Sequence, residues 1–176
     1  MVEITKIERK IMDSLHAPWR TTYVHEVHKS LEDKECVFCF QVHEGQDDKN
    51  MILYRGDGCF IMMNKFPYNG GHLLVLPYDH TPTLHNLSAE TRAELMELTT
   101  LSDVVLEKVL GNHGSNIGLN KGRAGGAGIP EHLHIHVVPR WPGDTNFLPI
   151  IADVKQVSVD LYDIFNRLKG EFSKLK

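Results

Sequence analysis

His132-Leu133-His134-Ile135-His136 is the feature that most constrains what this chain can fold into. Successive strand residues point to opposite faces, so this spacing stacks three imidazoles on one face and places Leu133, Ile135 and Val137 on the other. Val137 and Val138 continue the apolar, β-branched character, and Pro139 predicts that the strand ends there or lies near an edge. Imidazole is a nucleophile, a proton carrier and a metal ligand near neutral pH. Packing alone accounts for a single histidine more readily than for three in one row beside a glycine-rich loop.

The elements around this strand follow from periodicity and turn chemistry. Ile4, Ile7, Ile11 and Leu15 predict a short helix over residues 3–15, and Ala17-Pro18-Trp19-Arg20 breaks it and begins an extended arm. Cys36 to Val42 reads as a strand or a tight knuckle, and Gly45 to Asn50 as a polar turn. Met51 to Tyr54 and Cys59 to Asn64 flank Gly56-Asp57-Gly58, which predicts a β-hairpin. A turn over residues 67–71 leads to a buried strand, His72 to Leu76. Ser88 is an N-cap for a helix reaching about Leu110 and stopped by Gly111. Its stripe of Leu95, Leu98, Val105, Leu106 and Val109 is widened by Met96, Leu101, Val104 and Leu110. Such a helix is expected to cover the sheet and to meet a second surface, such as another subunit. A strand over Asn116 to Asn120, a loop from Lys121 to Pro130, the histidine strand over 132–138 and a helix from Asp160 to Leu168 complete the order.

That order predicts an α+β fold: a mainly antiparallel sheet of about five strands, one long helix and a C-terminal helix. The expected organisation is one domain over 1–176, with a helix and arm in 1–34, a core in 35–147 and an extension in 148–176. A net charge of −4 argues against a non-specific nucleic-acid binder. Three cysteines fit no disulfide framework and point to a reducing compartment. Residues 1–10 carry no signal-peptide pattern, and no apolar run approaches a membrane span. The expectation is a cytoplasmic protein without nucleic-acid or membrane partners.

Two further patterns carry chemistry. The loop from Asn120 to Gly128 has little side-chain bulk, with Lys121 and Arg123 at its rim. Its glycines let backbone N–H groups approach an anion, so phosphate is the expected ligand beside the imidazoles. Cys36-x-x-Cys39 has zinc-knuckle spacing, and a pair of core or redox cysteines is the alternative.

Gly71-His72-Leu73-Leu74-Val75-Leu76-Pro77, then Asn120, then His132-x-His134-x-His136 resembles the histidine-triad (HIT) family of nucleotide hydrolases and transferases. Ala17-Pro18-Trp19-Arg20-x-x-Tyr23 and Val138-Pro139-Arg140-Trp141-x-Gly143-Asp144-x-Asn146-Phe147 resemble the branch that cleaves diadenosine tetraphosphate, including its phosphorylases. The resemblance implies a dinucleoside polyphosphate hydrolase or phosphorylase working through a covalent nucleotidyl-histidine on His134. It makes His136 a contact to the phosphate or leaving oxygen and His72 a group that helps fix the tautomer of His134. Asn120, Gly126, Ala127 and Gly128 would meet phosphate and Asn64 the ribose. Many members carry Gln or Ser where this chain has Ala127-Gly128, a change compatible with inorganic phosphate as acceptor. Pro77-Tyr78-Asp79-His80 extends the likeness to members with a four-ligand zinc site, which implies structural zinc on Cys36, Cys39, His80 and His132 and no organic cofactor. The family habit also implies a homodimer. The alternatives are a HIT hydrolase of nucleoside phosphoramidates or related nucleotides, a catalytic zinc enzyme, and a non-catalytic nucleotide-binding regulator.

Overall fold

Two short helices, α1 (Val37–His43) and α2 (Asp47–Asn50), open the computed structural model, which describes residues 36–151 and 160–175. The helix expected over residues 3–15 and the arm from Ala17 lie outside the described residues. The segment expected as a strand or knuckle, Cys36 to Val42, is helical instead: Phe38 and Val42, four residues apart, bury one face, and Phe40 N–H donates to the Cys36 carbonyl. The stretch from Gly45 to Asn50 likewise contains α2 rather than a turn alone.

Gly56-Asp57-Gly58 reverses the chain, so β1 (Ile52–Arg55) and β2 (Cys59–Met63) pair antiparallel as the hairpin predicted. The Glu94 carboxylate accepts the N–H groups of Asp57 and Gly58, each at 2.7 Å. A Cβ on Gly56 would lie 2.1 Å from that carboxylate, so a larger residue here would push Glu94 off the turn. β3 (Leu73–Pro77) pairs with β2, β5 (Ile135–Arg140) with β3, and β4 (Gly114–Leu119) with β5, giving an antiparallel sheet in the order β1-β2-β3-β5-β4.

α3 (Ala89–Leu110) starts where Ser88 Oγ accepts the Thr91 N–H, and ends at Gly111, whose φ of +62° suits glycine. It buries Leu95, Leu98, Val105 and Leu106 against β2, β3 and β5, each contributing about 1.5–3 kcal/mol. Thr99 and Ser102 also lie in this buried stripe, with their hydroxyls satisfied at the Leu95 and Leu98 carbonyls. After a short α4 (Leu148–Ile151), Asp160 caps α5 (Leu161–Phe172), which runs a turn beyond the predicted end so that Phe172 joins the core.

One sheet face therefore carries α3 and α5, while Phe38 and Val42 of α1 pack on the other over Ile52, Phe60, Met62, Leu74 and Leu76. The histidine segment also differs from expectation. The β5 ladder begins at Ile135, so His132 and His134 precede it, and Pro139 lies inside it rather than at its end or on an edge strand. The last β3–β5 pair is Leu73 with Val137, so Pro139 falls beyond that ladder and costs it no hydrogen bond.

Candidate active site

Leu133 N–H donates to the Thr81 carbonyl at 2.7 Å, tying the histidine segment to the loop after β3 before the ladder begins. His134 Nδ1 lies 2.7 Å from the His132 carbonyl. A carbonyl only accepts, so the His134 proton sits on Nδ1 and the Nε2 lone pair is left available. His134 is 5% exposed, and burial pushes its pKa down, which favours the neutral ring. The Phe38 ring stands 5.3 Å from His134, and the His136 ring meets it edge-on at 4.9 Å.

His136 takes its tautomer from a different chain of contacts. Tyr68 N–H donates to His72 Nδ1 at 3.1 Å, which places the His72 proton on Nε2. His72 Nε2 is 3.0 Å from His136 Nδ1, so a neutral His136 carries its own proton on Nε2. Asn120 Nδ2 lies 3.4 Å from that nitrogen, and with the proton on Nε2 the amide pairs with it only when turned to present Oδ1. Thus His72 addresses His136 rather than His134, whose orientation comes from the His132 carbonyl. Asn64 is placed beside His72, with Nδ2 at 3.3 Å from Nδ1 and Oδ1 accepting Phe66 N–H at 2.9 Å.

The glycine-rich loop leaves from Asn120 and returns to the histidine segment. Gly126 N–H donates to the Arg123 carbonyl and Ala127 N–H to the Gly122 carbonyl, so these two amides close the loop's own turn. Gly122 and Gly126 have φ of +66° and +83°, the left-handed region that lets so short a turn form. What Gly126, Ala127 and Gly128 offer a phosphate is the low bulk of a folded turn rather than an open ring of donors.

Cys36, Cys39, His80 and His132 gather their donor atoms within 4.8 Å of one another. The Cys36 and Cys39 sulfurs lie 3.4 and 3.5 Å from His132 Nδ1, and Cys39 Sγ lies 3.4 Å from His80 Nδ1. Zinc bonds of ordinary length set tetrahedrally give a sulfur–nitrogen edge of about 3.6 Å, so the four donors fit that ion. His132 Nε2–H donates to the Pro77 carbonyl at 3.0 Å, which leaves Nδ1 as the unprotonated ligand. Burial pushes the His132 pKa down to about 4, in keeping with a neutral ligand. Four protein donors complete the coordination, so such a site is structural.

Beside His136 a cavity of about 360 Å³ extends over β4 and β5, bounded by Tyr68, Asn116, Gly118, Arg140 and Thr145. Sequence reasoning placed Arg140 in a motif but gave it no task, and it passed over Tyr68, Asn116 and Thr145. The two-residue step from His136 through Val138 to Arg140 is the signal that puts Arg140 on the same strand face. Arg140 Nε and Nη2 donate to Asp144 at 2.5 and 2.8 Å, and Nη1 donates to Asn116 Oδ1. The guanidinium holds the Asp144 carboxyl well below the usual carboxylate range. His43, His85 and His113 are exposed, as expected, while His16, His25 and His28 lie outside the described residues.

Comparison with known proteins places this geometry among relatives. The HIT domain family model matches residues 45–143. The AP-4-A phosphorylase of Mycobacterium tuberculosis is 34% identical over 171 residues, covering 95% of this chain and 88% of the relative. An asymmetrical bis(5'-nucleosyl)-tetraphosphatase of Schizosaccharomyces pombe is 32% identical over 95 residues, 54% of this chain and 52% of that protein. The crystal structure of a Zn-bound histidine triad family protein from Mycobacterium smegmatis superposes with a TM-score of 0.66 at 27% identity, covering 80% of this chain and 95% of the other. Among the described residues no helix is long and apolar enough to cross a membrane.

Proposed function

The chain belongs to the HIT domain family, and on that premise we propose that it opens dinucleoside polyphosphates of the diadenosine tetraphosphate class through a covalent nucleotidyl-histidine on His134. The observation that carries this is the 2.7 Å contact from His134 Nδ1 to the His132 carbonyl, which leaves a neutral Nε2 lone pair as nucleophile. Nε2 attacks the α-phosphorus, an N–P bond forms, and the P–O bond to the departing polyphosphate breaks. His136, which carries its proton on Nε2, delivers it to the leaving oxygen. In the second step water or inorganic phosphate attacks the phosphorus, the N–P bond breaks, and a proton returns to His136. Asn120, with the turn at Gly126, Ala127 and Gly128, steadies the phosphate oxygens, and Asn64 beside His72 serves the ribose.

The likeness to an AP-4-A phosphorylase over most of both chains supports the substrate class. It favours inorganic phosphate as acceptor, as does the small Ala127-Gly128 pair in the loop. The catalytic-zinc alternative is disfavoured because Cys36, Cys39, His80 and His132 form a four-donor set, complete without an activated water. When zinc is bound it supplies a rigid cross-link between Cys36 and Cys39 at the start of α1, His80 after β3 and His132 before β5. We further assign a homodimer through α3, whose outer residues Met96 and Val104 are 55% and 56% exposed.

Product analysis of diadenosine tetraphosphate with and without inorganic phosphate tests the assignment. ADP plus ATP, formed only with phosphate, is the expected result. AMP plus ATP makes the protein an asymmetric hydrolase, and no turnover under either condition overturns the enzymatic function.

A further inference from the structure

We infer that the groove running from His136 along β5 to Arg140 holds the leaving group, and that Arg140 and Asn116 select substrates whose leaving group is a nucleoside polyphosphate. The inference presupposes covalent attack by His134 and concerns what lies beyond the scissile bond.

Displacement at phosphorus expels the leaving oxygen on the side opposite the attacking nitrogen. His134 lies in the segment before β5, with the Phe38 ring 5.3 Å from its own and the Cys36–Cys39–His80–His132 cluster at His132, two residues back along the chain. His136 is the next residue on this face and holds the proton that the leaving oxygen needs. The cavity begins at His136 and continues past Val138 to Arg140, four residues or about 14 Å farther along the strand. As the P–O bond breaks its electron pair goes to the departing oxygen, which takes the His136 proton and is released into this groove.

The groove is built for such a group. Gly118 pairs with His136 across β4 and β5, and a Cβ there would meet nothing within 4 Å, so the floor beside the proton donor is open. Arg140 is held rather than loose: three of its five N–H groups bind Asp144 and Asn116 Oδ1, and Asp144 is itself anchored by Asn69 Nδ2 at 2.8 Å and Trp141 N–H at 3.3 Å. Two guanidinium N–H groups remain for an oxyanion. Asn116, whose Oδ1 is taken by Arg140, keeps its NH₂ as a donor. A fixed fork and an amide beyond the proton donor suit the outer phosphates of a polyphosphate, and a leaving group without phosphates gains nothing from them.

The experiment compares kcat/KM for diadenosine tetraphosphate with that for the p-nitrophenyl ester of AMP, which transfers the same AMP but lacks a polyphosphate leaving group. Arg140→Gln and Asn116→Ala are each expected to lower the ratio of the two constants about 10- to 100-fold, the size of a lost hydrogen bond to a charged group. Gly118→Val, at a position with open space and no left-handed φ, fills the floor without unfolding the sheet and is expected to move the ratio the same way. Equal losses on both substrates would reduce Arg140 to a brace for the loop after β5, and an unchanged ratio in all three variants would remove the groove from the reaction; either overturns the inference. The covalent mechanism is judged separately, by whether the parent protein forms a His134 adduct from the AMP ester. Without that adduct the mechanism falls, and the inference with it.

Discussion

His134 and His136 are neighbours on one face, yet opposite hydrogen bonds suit them to opposite tasks. His134 spends its N–H on the His132 carbonyl and keeps a lone pair, while His136 receives an N–H from His72 and keeps a proton. Replacing His134 with Asn is therefore expected to lower turnover by at least about a thousandfold while nucleotide binding stays measurable by calorimetry. Burial lowers the pKa of His134, so the acid limb of the pH–kcat/KM profile is expected below the ordinary histidine value of about 6.5. The same shift, with that of His132 to about 4, has a consequence for folding. Both groups prefer to be neutral in the folded state, so their contribution is complete above about pH 6.5 and is lost as pH falls below it, for His132 toward about 4. Thermal unfolding of chelator-treated protein should show Tm falling across that window, and a flat Tm would mean that neither ring is buried neutral.

At the scale of elements, α1 is where sequence and structure part most instructively. Cys36-x-x-Cys39 was legible as a zinc knuckle, but the helix around it was not, because seven residues are too few for periodicity to separate helix from strand. The hairpin and α3, with its Ser88 cap and Gly111 stop, were legible because turn and cap residues mark them directly, and α5 because its apolar positions repeat with a helical period. The real start of β5 was not, since alternation continues through His132 and His134 although neither pairs in the ladder. His72 was attached to the wrong partner for a related reason: its reach to His136 depends on the β3–β5 register of Leu74 with His136, which no local pattern encodes. Two predictions belong here. Cys36→Ser should remove most bound zinc, by elemental analysis, and lower Tm before it alters the chemistry, because an ion on these four donors would tie α1 to the segment before β5. Full zinc content or an unchanged Tm in that variant would return the cysteines to packing. Glu94→Ala should destabilise the fold by about 1–3 kcal/mol in urea melts, since it removes the carboxylate to which two turn N–H groups now donate.

For the whole molecule, the sheet serves as a divider. α3 and α5 bury one face, α1 covers part of the other, and the uncovered part over β5 and β4 carries the histidines and the groove. The apolar outer side of α3 and the exposed Ile117 on edge strand β4 are the surfaces a two-fold partner would cover. Sedimentation at low micromolar concentration is expected to give a species of twice 20.0 kDa, and Val104→Glu to shift it toward the monomer. A clean 20.0 kDa species in the parent would rule out the dimer. The proposed chemistry depends on one bond between His134 Nε2 and the α-phosphorus. Rapid quench of the parent protein with adenine-labelled diadenosine tetraphosphate, followed by peptide mapping under alkaline conditions, looks for that bond directly. The predicted result is an acid-labile adenylyl group on the peptide that carries His134, absent from His134→Asn; turnover with no adduct, or an adduct that persists in His134→Asn, would contradict it.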